Sequence, residues 1–158
     1  MRKKLIIGAA LVLILVPLSL GAQTNAEFQY LSFDIGYAPG WDLDSSATNP
    51  VTPSLFGLNV RVTDKLSAGL QMLTYSSTST DSFLLLKYSV LPQVRAMLGF
   101  GSDGTDSLSS IGFEIIPFSR SVGGLAATEF KVAVKYDAPF EDLTTGKILF
   151  ALAIGIGF

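Results

Sequence analysis

The final twelve residues read Lys147-Ile148-Leu149-Phe150-Ala151-Leu152-Ala153-Ile154-Gly155-Ile156-Gly157-Phe158. Ile148, Phe150, Leu152, Ile154, Ile156 and Phe158 are large and apolar, and they alternate with Lys147, Ala151, Ala153, Gly155 and Gly157, with Leu149 as the one exception. A period of two is the mark of a β-strand with one greasy face. A greasy strand at a chain end would be an aggregation-prone edge in water. It fits a strand that closes a barrel whose outer surface meets lipid, because a closed barrel leaves no edge.

The same alternation recurs upstream. A seventh strand places Phe130, Val132, Val134 and Tyr136 outward, with Glu129, Lys131, Ala133, Lys135 and Asp137 inward. A sixth has Ile111, Phe113 and Ile115 out, with Gly112 and Glu114 in; a fifth has Val94, Ala96, Leu98 and Phe100 out, with Arg95, Met97 and Gly99 in. In the fourth, Phe83-Leu84-Leu85-Leu86 is apolar throughout. Setting Lys87 inside turns Leu84, Leu86, Tyr88 and Val90 outward. The third carries Leu66, Ala68, Leu70 and Met72, the second Phe56, Leu58, Val60 and Val62, and the first Leu31, Phe33, Ile35 and Tyr37. Polar or Pro- and Gly-bearing stretches separate them: 39–53, the Asp64-Lys65 turn, 76–81, a turn at Pro92, 102–107, 117–127 and 138–146. About eight strands of roughly ten residues result, the pattern of a small membrane barrel. The predicted fold is all-β, an antiparallel up-and-down transmembrane β-barrel.

Composition agrees. Of 158 residues, 49% are hydrophobic and 15% charged. That is little charge for a water-soluble domain. Past the first residues no apolar run approaches the roughly 20 residues of a membrane helix. Residues 1–22 read as a cleaved export signal: Arg2, Lys3 and Lys4, an apolar run, Pro17, and small residues at Gly21 and Ala22. Residues 23–158 form the single barrel domain. The chain has no cysteine, so disulfides are excluded. The main competitor is a secreted soluble barrel of the lipocalin type. The second face decides against it: Gly, Ala, Ser and isolated charges suit a narrow lumen better than a water-facing exterior.

On the closing Ile154-Gly155-Ile156-Gly157-Phe158, the strand count and the lumen composition, the chain resembles the small bacterial outer-membrane barrels of the OmpX, OmpA and OmpW kind. The resemblance implies an outer-membrane location with both termini periplasmic. It also implies recognition of the last strand (Phe158, Ile156, Ile154) by the barrel-assembly machinery. Outer-membrane lipids are the expected surroundings; small apolar solutes or host surface ligands are the candidate partners.

Three groups of residues are candidates for function. Asp34, Arg61, Lys87, Arg95, Glu114, Glu129, Lys131 and Lys135 fall on inward faces. They read as a plug that fills a narrow barrel, or as a selectivity ring in a pore. Counting across hairpins sets Arg95 opposite Glu114 and brings Lys131 close to it. Leu55, Leu73, Tyr75, Phe83, Leu85 and Leu149 are inward and apolar, gathered in the extracellular half. They read as packing, or as a pocket for a small apolar molecule, with Leu73 facing Leu85 and Trp41 as a cover. The lumen is then greasy above and ionic below. Asp42, Asp44, Asp81, Asp103, Asp106, Glu141 and Asp142 form an acidic rim. That rim favours cations, but no loop has EF-hand spacing.

Other chemistry is poorly supplied. The chain has no histidine, which removes Ser-His and metal-His sites. No metal, no cofactor and no enzymatic activity are expected, and no basic face is offered to nucleic acid. Two functions compete: a narrow conduit or binding pocket for apolar molecules, and a closed barrel acting as a surface scaffold or adhesin.

Overall fold

The computed structural model describes residues 30–43, 49–122 and 126–158. The expected export signal at 1–22 and Asp44 lie outside these residues. The described residues form ten strands: β1 (Leu31–Tyr37), β2 (Gly40–Asp42), β3 (Asn49–Val51), β4 (Ser54–Arg61), β5 (Leu66–Ser76), β6 (Ser79–Leu91), β7 (Val94–Ser102), β8 (Ser107–Val122), β9 (Ala126–Pro139) and β10 (Lys147–Gly157). Neighbours pair antiparallel around the ring, and β1 closes on β10 from Ser32↔Gly157 to Tyr37↔Leu152. At the seam Phe158 N donates to Leu31 O at 2.8 Å and Leu31 N to Phe158 O at 3.3 Å.

The ten strands make eight staves. Prolines account for the difference, because they cannot donate to a ladder. The first stave breaks at Ala38 and Pro39 and resumes as β2, which pairs with β10 and β3. The second breaks at Thr52 and Pro53, between β3 and β4. The breaks are stitched together: Ala38 N donates to Pro53 O at 2.9 Å, and Phe150 N to Pro39 O at 2.8 Å. Part of the expected 39–53 loop is therefore sheet.

Two other expected loops are also sheet. The stretch 76–81 reduces to a tight turn, with Ser76 already paired to Ser79 and a bulge between Thr74 and Ser76. The connection 117–127 continues β8 and β9 as a paired ribbon out to Val122↔Ala126, past a bulge between Ile115 and Phe118. This ribbon stands at the terminal end of the barrel, the end that carries Leu31 and Phe158.

Inward and outward faces follow the alternation. Phe83, Leu85 and Lys87 are buried while Leu84, Leu86, Tyr88 and Val90 are exposed, which is the register that an inward Lys87 requires. Exposed residues form an apolar belt that includes Ile35, Phe56, Leu70, Leu98, Ile111, Phe113 and Ile154. Soluble monomers rarely leave so large an apolar surface in water, and a belt of this kind marks contact with a membrane. With every strand paired and the outer wall apolar, the architecture is a transmembrane β-barrel.

Candidate functional site in the lumen

The interior is filled with charge. At the level nearer the terminal end, Glu114 on β8 receives Lys87 Nζ from β6 at 2.8 Å and Arg95 Nη1 from β7 at 3.3 Å. Arg95 and Glu114 are register partners. Asp34 on β1 takes Lys131 Nζ from β9 at 2.6 Å, with Lys87 at 3.8 Å. Asn59 Nδ2 donates to Asp34 Oδ2 at 2.9 Å. Glu129 lies farther from its cations, 3.6 Å from Lys131 and 3.8 Å from Arg95. Alternating signs spread over five strands offset the desolvation that any one of these charges would suffer alone.

Gly155 makes room for the Asp34–Lys131 pair. A Cβ at that position would meet Asp34 Oδ1 and Lys131 Cε, both at 2.8 Å. The small residues of the closing strand thus serve the ion pair beneath them.

The opposite half corrects the expectation of a purely greasy upper lumen. Lys135 Nζ sits 2.7 Å from Asp137 Oδ2 and 2.7 Å from Gln71 Oε1, and 4.4 Å above the Phe83 ring. Lys147 Nζ bonds Asp81 Oδ2 at 2.8 Å and lies 4.4 Å from the Tyr75 ring. Leu55, Leu73, Phe83, Leu85 and Leu149 do share one cluster, each between 0% and 4% exposed. They fill space between the charged groups, and of the five only Leu55 borders the small cavity between them.

Several placements depart from the sequence reading. Arg61 is not in the buried network; its guanidinium bonds Asp64 at 2.8 Å in the turn that ends its own hairpin. Arg61 is the last residue of β4, beside the turn, where its side chain meets solvent. Trp41 does not cover the interior. It faces outward and meets Phe150 edge-on, because β2 continues the alternation of its stave past the proline break. Leu73 faces Asp81 across the ladder, and Leu85 faces Gly69, because the turn is tighter than expected. For the same reason Asp81 leaves the acidic rim and is buried in the lumen. Lys131 does lie near Glu114, as expected, and both line one cavity, but its closest partners are Asp34 and Glu129, and Lys87 makes the direct bond to Glu114. Asn59, Gln71, Asp137 and Lys147 were not singled out from sequence. Their inward parity was readable, but the partners of Gln71 and Lys147 lie on distant strands, Lys135 on β9 and Asp81 on β6.

Outside the barrel, the rim carboxylates bind their own loops. Asp103 Oδ1 accepts from the backbone N–H groups of Asp106 and Thr105, both at 2.8 Å, which holds its carboxyl below its ordinary value. Gly104 supplies the left-handed conformation that this turn needs, with φ of 95°. Asp142 is lowered likewise by the side chain and backbone of Thr144. Among the described residues no three acids gather in a way suited to a metal ion.

No family model matches the chain, and no curated protein matches it. A solved structure similar to it is a designed protein described under "De novo design of transmembrane beta-barrels". It shares 16% identity, over 82% of this chain and 98% of the other, with a TM-score of 0.46. At that similarity the likeness carries no inference about this chain.

Proposed function

We propose that this chain is a closed outer-membrane barrel that serves as a scaffold, anchoring its loops at the cell surface without passing solutes. The observation behind this reading is the lumen itself. Asp34, Lys87, Glu114, Glu129 and Lys131 are each 2–4% exposed and interlocked across the bore. The apolar residues that a conduit would use are packed shut above them. A narrow barrel is normally filled by its side chains. In this reading the termini are periplasmic, the acidic loops face outward, and the exposed C-terminal Phe158 is what the assembly machinery recognises. The proposal gives the barrel no enzymatic role and leaves the surface partner to be sought among ligands of the acidic loops.

The test is single-channel recording of the refolded barrel in planar bilayers, with insertion checked by the heat-dependent gel shift of a folded barrel. A silent membrane is the expected result. Discrete openings blocked by an apolar amine oxide would overturn the scaffold and favour a conduit for small apolar molecules.

A further inference from the structure

The charged groups form more than a plug. Starting from the terminal end, Glu129 leads to Lys131 at 3.6 Å, Lys131 to Asp34 at 2.6 Å, Asp34 to Lys87 at 3.8 Å, and Lys87 to Glu114 at 2.8 Å. From the other end Tyr75 and Lys147 lead to Asp81, and Lys135 holds Asp137, which is the ladder partner of Lys147. A small cavity joins the two halves. Asp34, Glu114 and Lys131 line it from one side, and Gln71 and Lys135 from the other. Leu55, Met97 and three alanines complete its wall; it has room for about one water, which its polar groups can bind.

Buried oxygens without a hydrogen bond from protein fall along the same line. At the first mouth they are Ser119 Oγ and Glu129 Oε2, on ladder partners. At the other they are Tyr75 OH, Asp81 Oδ1, Ser110 Oγ and Asp137 Oδ1, of which Ser110 and Asp137 are ladder partners. Buried polar atoms are satisfied as a rule, by water where protein does not reach. The gaps of 3.6–3.8 Å at Glu129 and at Asp34–Lys87 are also of the kind that water bridges.

We propose that this lumen, closed to solutes, conducts protons along one line of carboxylates, ammonium groups and bridging water. The proposal rests on the closed-barrel reading. A proton taken up by the Glu129 carboxylate passes through water to the network. Each ammonium gives a proton to the carboxylate beyond it and takes one from the carboxylate behind it, so every lysine ends as it began. The cavity water accepts a proton on the Glu114 and Asp34 side and releases one toward Lys135 and Asp137. Exit is through Asp81 and Tyr75. Only O–H and N–H bonds form and break, and one proton enters for each that leaves. Gln71 does not carry a proton; it is a positioning residue that orients Lys135 and the cavity water.

The experiment uses the refolded barrel in phospholipid vesicles loaded with the pH dye pyranine. A pH step is applied, with potassium and valinomycin holding the membrane potential. Acidification should be several-fold faster than in protein-free vesicles and slower in deuterium oxide, while planar bilayers of the same protein carry no potassium chloride current. Gln71→Leu removes the amide that holds Lys135 at the cavity and should return the flux to background with the gel shift retained. Glu129→Gln, at the mouth, should do the same if Gln71→Leu fails to fold. Background flux from the folded parent protein, with silent bilayers, overturns the proton path and leaves the closed barrel standing. Undiminished flux in folded Gln71→Leu or Glu129→Gln also overturns the path. A potassium chloride current overturns the closed barrel and the proton path together.

Discussion

Arg95 and Glu114 face each other across the β7–β8 ladder, and Arg95 Nη1 lies 3.3 Å from one oxygen of Glu114 while Lys87 holds the other at 2.8 Å. One carboxylate thus ties three strands together inside the barrel. A pair of this kind adds little over a well-packed apolar core, but removing one member strands the others without compensation.

Glu114→Gln should therefore destabilise the folded barrel by about 3–5 kcal/mol. Lys87→Met added to Glu114→Gln should restore part of that loss, since it removes the uncompensated charge. Urea titration in lipid vesicles, read by gel mobility, measures both. Equal stability of Glu114→Gln and the parent would show that the lumen is wet enough to solvate Lys87 and Arg95 alone.

Phe83 tests whether the apolar cluster is packing. It is 2% exposed and lies under the Lys135 ammonium. Phe83→Ala should cost about 3–5 kcal/mol as a core truncation does. If the cluster were an open pocket, the truncation would cost little and would enlarge the site for an apolar probe.

The outer wall gives an opposite prediction. Leu98 stands at the middle of β7, outward and 55% exposed. Leu98→Arg should destabilise the inserted barrel by about 2–4 kcal/mol in bilayers, where the residue meets hydrocarbon. In a soluble barrel the same change would leave stability nearly untouched and raise solubility.

Acid should loosen the turn at Asp103. Its folded-state pKa is held down by the N–H groups of Asp106 and Thr105. The stabilisation is therefore present above the ordinary aspartate value of about 3.9 and lost as pH falls below it, through the folded value. Amide shifts of Thr105 and Asp106 should move together in that window. In Asp103→Ala the Thr105 amide should lose most of its pH response there, and a midpoint at or above the ordinary value in the parent would contradict the capping.

Much of the barrel could be read directly from the chain. Inward Lys87 settles the apolar stretch 83–86, because a two-residue period leaves each strand one choice of face. The strands at Ser79 and Val122 were harder to delimit, since Ser, Thr, Pro and Gly mark a loop by composition even where the ladder continues through them. The four-residue register error at the Ser76 turn placed Asp81 in the rim and Leu73 opposite Leu85, where Asp81 in fact stands. Trp41 was misplaced because the Pro39 break resembles the end of a stave.

The sequence by itself determined the all-β class, the eight staves, the apolar outer face and the identity of most inward charges. Alternation is local, and it follows from the geometry of each strand alone. Only the tertiary structure decided which charges meet. Asp34 and Lys131 are 97 residues apart and bond at 2.6 Å because the β1–β10 closure and the stagger of the strands bring them to one level. Stagger is a property of the whole ring, fixed by all eight pairings and by bulges at Thr74, Ser89 and Ile115, so no single stretch of sequence contains it.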